Sequence, residues 1–225
     1  QLTKSPQQID SSQLTKSPQQ IDGTRKKTTA IAGEASAALK NPAPEITNTI
    51  NNTFIGHKAG NGSKDDATYN TAVGQNSLFA LTSGDFNTAI GALSLLQVTS
   101  GNTNTALGYY SGTGITTGTN NVHIGTLAGE GNREASQLVG IGTDTFRVGT
   151  VTTDANGTVA IGYQALAVQN FTSATNTYNV ALGTLAGAAV TTGIQNVLIG
   201  GLAGDALSDA DFNVVLGTSA LSADT

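Results

Sequence analysis

The chain has no cysteine, no methionine and no tryptophan, and only 11% of its 225 residues are charged. Ordinary globular domains carry roughly 25% charge. Without cysteine there are no disulfides and no thiolate metal sites, although that leaves the compartment open. The missing methionine leaves no initiator, so the chain reads as a processed product or an excerpt. No apolar run approaches the roughly 18 residues of a membrane helix and no signal peptide is recognisable, so membrane insertion is not expected. Basic residues are also short, with 10 Lys and Arg against 15 Asp and Glu and a net charge of −5. Six of those cations fall in residues 1–46, leaving four against eleven carboxylates in the remainder. An acidic body of this kind is a poor partner for nucleic acid, whose phosphates need Lys and Arg.

What is abundant is Gly, Thr, Ala and Asn, and they recur in order. Ten copies of Asn-[Thr/Val]-x-[Ile/Leu/Val]-Gly-x-x-[Ala/Ser]-[Gly/Leu] run from about residue 50 to the end. Their central glycines are Gly56, Gly74, Gly91, Gly108, Gly125, Gly142, Gly162, Gly183, Gly200 and Gly217, spaced mostly by 17 residues. A short fixed period means a solenoid in which each repeat is one coil stacked on the last.

Numbering each repeat from its central glycine, position −1 is always Ile, Val or Leu. Position −3 is Thr in the first four copies (Thr53, Thr71, Thr88, Thr105) and Val in the last six. This alternation is that of a strand with −3 and −1 on one face, and that face is expected to fill the inside of the coil. Position −2 is uncharged and mostly small, so the opposite face also reads as covered. A second copy of the chain is the simplest cover, which makes Ala72, Ala89, Ala106, His123, Ala160 and Ala181 the candidate interface residues. The apolar residues at +7 (Leu81, Val98, Ile115, Val190, Leu207) are expected on a returning strand, and the small residues at +3 at a tight turn between the two. Asn stands at −4 in eight of ten copies, so stacked coils would align these amides in a ladder. At ~4.8 Å per coil, ten coils make a rod of roughly 48 Å.

Runs such as NTAVGQNSL (70–78), NTAIGALSL (87–95), NVALGTLAG (179–187) and NVLIGGLAG (196–204) resemble the head repeats of trimeric autotransporter adhesins. They resemble still more the NTAIG repeats of bacteriophage tail fibres and related cell-surface fibres, because adhesin heads use shorter coils. The resemblance covers residues 50–225 and implies an all-β, left-handed parallel β-roll assembled as a homotrimer. It also implies a structural or adhesive fibre at a virion or cell surface, outside the cell, that takes part in host-cell attachment. The last copy stops at NVVLGTSALSADT, about where a return strand would begin, so the full protein is expected to continue or to have lost a C-terminal piece.

Residues 1–46 read as a separate flexible anchor or linker, followed by the repeat domain at 47–225. The decapeptide QLTKSPQQID at 1–10 recurs verbatim at 13–22, and Thr29–Leu39 could form a short helix before Asn41-Pro42. One use of this segment is docking the fibre on a virion or surface base.

Catalytic chemistry is hard to build from these residues. His57 and His123 are four repeats apart, no cysteine supports them, and no facing carboxylate pair can be nominated. No cofactor or metal is expected, and the chain is not expected to be an enzyme. In a trimer, His123 would meet its symmetry mates, either as a packed neutral side chain or as a ring of three imidazoles around an ion. Two coils are longer than the rest, with bulging loops near 143–157 and 167–178. Loop insertions in solenoids lie on one face, often the binding face. Phe146, Arg147, Phe171 and Tyr178 are therefore the candidate anchors for a host surface glycan or a protein receptor. Two other functions stay open: a polysaccharide-degrading spike, and an ice-binding solenoid that would use the threonine ladder at −3. The second is disfavoured if −3 and −1 are core positions.

Overall fold

The computed structural model describes residues 46–47, 51–63, 66–147, 155–171 and 175–222. The duplicated decapeptide and the helix candidate at 29–39 lie outside these residues. The described residues form an all-β parallel solenoid of about nine turns, with no helix among them.

Each coil contributes one three-residue strand to a single sheet. After a short β1 (Ile46–Thr47) come β2 (Thr53–Ile55), β3 (Thr71–Val73), β4 (Thr88–Ile90), β5 (Thr105–Leu107), β6 (Val122–Ile124) and β7 (Val139–Ile141). The sheet continues with β9 (Val159–Ile161), β11 (Val180–Leu182), β12 (Val197–Ile199) and β13 (Val214–Leu216). Neighbours are parallel and pair −3 with −3, −2 with −2 and −1 with −1 along the stack. β1 is the exception. It runs antiparallel to β2, so Ile46 already belongs to the sheet and not to a separate linker. β8 (Ala155–Asn156) and β10 (Thr175–Asn176), from the two enlarged coils, pair with each other as a small second sheet.

The returning side of each coil is not a strand. Positions +2 and +4 take left-handed backbone angles, as in Leu93 (φ 61°) and Leu95 (φ 47°), and so does −5, as in Phe86 (φ 58°). Successive coils still bond in register there, with Leu78 N–H donating to Ser94 O at 3.0 Å and Ala80 N–H to Leu96 O at 3.1 Å. The expected +7 residues do point inward: Leu81, Val98, Ile115 and Val190 are buried. At +3 the small residue closes a turn onto the central glycine, as Ala186 N–H does to Gly183 O at 3.2 Å.

The faces of the strand are the reverse of the sequence reading. Position −2 lies inside the coil: Ala72, Ala89, Ala106, His123, Ala160 and Ala181 are all 0% exposed within one chain. Positions −3 and −1 face outward, half-buried or exposed, with Ile90 at 40% and Leu107 at 45% exposure. The six −2 residues are therefore not available to meet another copy. The reason is that position +4 also points inward and shares the interior with −2. Phe54 stands against Gly60, His123 against Gly129 and Leu198 against Gly204, whereas Gly140 stands against Phe146. Ala72, Ala89 and Ala160 sit in coils whose +4 residue is a buried leucine, namely Leu78, Leu95 and Leu166. The space inside a 17-residue coil admits about one large side chain, and −2 is small where +4 is large.

The central glycines set how closely coils approach. Each has φ between 125° and 140°, a region open only to glycine, and a Cβ on nearly any of them would strike the next glycine's backbone. On Gly108 that atom would lie 2.6 Å from Gly125 O. Gly108→Ala is therefore expected to destabilise the protein by on the order of 3 kcal/mol. Gly201→Ala, whose nearest neighbour would be Thr184 O at 3.9 Å, should stay within about 0.5 kcal/mol of the parent. Urea denaturation of the two variants beside the parent checks this, and equal losses would contradict it.

Candidate functional site

The rod presents three distinct surfaces: the outward sheet face, a corner of polar ladders, and the turn side. The corner is the most ordered. Asn70 Nδ2 donates to Asn52 Oδ1 (3.1 Å) and to Gly84 O (2.8 Å), and the pattern repeats through Asn87, Asn104 and Asn121. Each Asn oxygen also accepts the backbone N–H of the next rung, so these fully buried amides are saturated. The ladder stops at Leu138 and Thr158, the −4 residues of the two coils before and within the insertions, and resumes at Asn179, Asn196 and Asn213. A second ladder at −6 runs beside it, where Thr68 N–H donates to Asp85 Oδ1 and Asp85 N–H to Asn102 Oδ1, both at 2.7 Å. Sequence reading found the first ladder and missed the second, because its residue type changes from rung to rung while its bond does not.

The proposed aromatic anchors separate. Phe146 is 3% exposed and Phe171 6%, so both are core residues and offer no face to a ligand. Phe146 is a +4 residue and fills the space left by Gly140. Tyr178 is 58% exposed and lies over Gly157, and Arg147 is exposed. Of the four, only Arg147 and Tyr178 can meet a partner. Other exposed rings lie away from these loops: Tyr69 and Phe86, both at −5, stack at 5.0 Å with planes 3° apart, and Tyr109 meets the half-buried Tyr110 edge-on at 4.5 Å. Stacking on each other occupies one face of each of the first two. On the turn side, an open groove of about 390 Å³ is lined by Lys58, Asn76, Phe79, Ala80, Leu93, Leu96 and Gln97.

No group of three or more His, Asp or Glu side chains comes together among the described residues. His123 is not on an interface and cannot meet symmetry mates there. It lies wholly inside its coil, edge-on to Phe146 with ring centres 6.2 Å apart, and neither ring nitrogen has a hydrogen-bond partner. Burial disfavours the imidazolium and lowers the His123 pKa from 6.5 to about 4. No protein-family model, curated protein or solved structure matches this chain.

The buried histidine gives the rod an acid-labile point. The unfolded chain takes up a proton as pH falls through about 6.5, while the folded chain stays neutral down to about 4. The resulting stability is present above pH 6.5 and lost progressively between those values. Relative to pH 7.5, about 2 to 3 kcal/mol should be gone at pH 4.5 through this residue alone. Leucine is the natural choice for removing it, since Leu198 fills the same position against Gly204. Denaturation of the parent and His123→Leu at both pH values should show the extra acid loss in the parent only.

Proposed function

We propose that this chain is the shaft of a homotrimeric surface fibre, carried on a virion or a cell, that serves in attachment to a host. The observation that carries the reading is the outward face of the sheet. Two ladders of Thr, Val, Ile and Leu run the length of the rod on its outward face, half-buried or exposed. A contiguous apolar face of this length marks an association surface. A rod of stacked coils suits a spacer that holds a binding element away from its base, and the repeats resemble those of phage tail fibres and adhesin heads. In this reading residues 1–46 join the base, and the protein has no catalytic role. The receptor, a surface glycan or protein, would meet the enlarged coils around Arg147 and Tyr178.

The test is the mass of the full chain in solution. Light scattering on an eluting peak should give three times the 22.6 kDa of one chain. A single-chain mass at micromolar concentration would overturn the trimer.

One observation favours a second reading. Thr53, Thr71, Thr88 and Thr105 form a ladder that faces outward beside Ile55, Val73, Ile90 and Leu107. The objection that these are core positions therefore falls, and an ice-binding solenoid stays in play with a flat face of regular hydroxyl and methyl groups. The six valines that replace threonine further along weigh against it. Thermal hysteresis measured on the same preparation should be absent if the rod is a fibre shaft. A clear freezing gap would transfer the function to the threonine face.

A further inference from the structure

We infer that copies of this chain meet through the outward face of the parallel sheet, and that rungs β6, β7, β9, β11, β12 and β13 drive the contact while rungs β2 to β5 do not. This rests on the oligomeric reading above and names its surface. Position −1 is aliphatic in all ten rungs, so the difference between the halves lies at −3. In β2 to β5 that position carries a hydroxyl. From β6 onward it carries Val122, Val139, Val159, Val180, Val197 and Val214, and the stripe is aliphatic two residues wide without interruption. No charged residue stands at −3 or −1 anywhere along the rod.

The geometry selects a second copy over an unrelated partner. The rungs are in strict register, so the stripe is corrugated at the strand spacing of ~4.8 Å. A surface with the same spacing can seat its side chains between these rungs over the whole length, and another copy of the chain has that spacing by construction. Over the six valine rungs the gain is all apolar, whereas over β2 to β5 each threonine hydroxyl would have to leave water or find a partner.

The experiment uses the full chain in two double variants, Val139→Lys with Val180→Lys and Thr71→Lys with Thr88→Lys. All four positions face outward, so both variants should keep the parental far-ultraviolet circular dichroism. The valine pair should elute at the single-chain mass, because lysines opposite one another in an apolar contact are costly. The threonine pair should keep the parental mass. The absence of native cysteine supplies an independent measurement that does not depend on lysine being tolerated. Ile161→Cys, facing outward, should form disulfide-linked dimers on mild oxidation, and its inward neighbour Ala160→Cys should not. An oligomeric parent whose mass survives the valine pair, or an Ile161→Cys variant that stays uncrosslinked, overturns the surface and leaves the trimer standing. A monomeric parent overturns both.

Discussion

The structure depends on one close approach, that of each coil's central glycine to the backbone of the next. Stacking at this distance leaves no room for a Cβ on Gly74, Gly91, Gly108 and their successors up to Gly200, and it requires a φ near 130° that side chains forbid. Once that contact is fixed, the register of every strand follows, because Gly stacks on Gly and the three preceding residues pair in order. The Asn ladder follows as well. An amide four residues before the glycine falls above its counterpart, and its oxygen meets the next rung's N–H. These bonds are in turn what holds the strained turns. Left-handed angles at −5, +2 and +4 each cost of order 1 kcal/mol or more outside glycine, and they persist because bonds to the coils above and below fix them.

This explains how much of the fold was legible. Period, stacking register, the buried residues at +7, the small residues at +3 and the amide ladder all follow from one-dimensional spacing, and all are found. The face of the strand does not follow. Alternation says that −2 opposes −3 and −1, but it carries no sign, and hydrophobicity alone points to −3 and −1 as the core pair. The deciding cue was in the sequence at +4. Phe54 with Gly60, Gly140 with Phe146 and Leu198 with Gly204 exchange large for small across the coil, which only facing residues do. The same offset governs Phe146, whose place at +4 makes it core and not a loop anchor. A ring at −5, as at Tyr69, Phe86, Tyr178 and Phe212, is exposed instead. Aromatic residues in this rod are therefore sorted by their offset from the glycine, and proximity to an insertion says little.

The interior is continuous in outline but not in chemistry. Buried apolar residues from Phe54 to Ile115 form one cluster and those from Ala135 to Val215 another. Between them lies the coil of His123, the only −2 side chain with an ionisable group, and its +7 residue is Asn132 in place of an aliphatic one. On the outside, −3 turns from Thr105 to Val122 on entering the same coil, and the Asn ladder ends one rung later at Leu138. Core, outer face and polar corner thus change character within two rungs.

That coincidence bears on how the rod comes apart. A solenoid has only nearest-neighbour contacts, so its stability is a sum over coils and adjacent pairs, and opening starts at the weakest interface. Coils whose interiors hold matched aliphatic residues cohere by burial. The His123 coil buries a ring whose nitrogens gain no hydrogen bond, while its Asn121 still bonds the coils on either side. Protonating the ring removes the one condition under which it is tolerated there, with no carboxylate inside the coil to receive the charge. Glu130, the nearest acid in the chain, is exposed at the surface. The expected first event in acid is therefore separation of an N-terminal threonine-faced segment from a C-terminal valine-faced one, in place of unravelling from either end. If the aliphatic stripe holds copies together, the second segment stays assembled while the first opens.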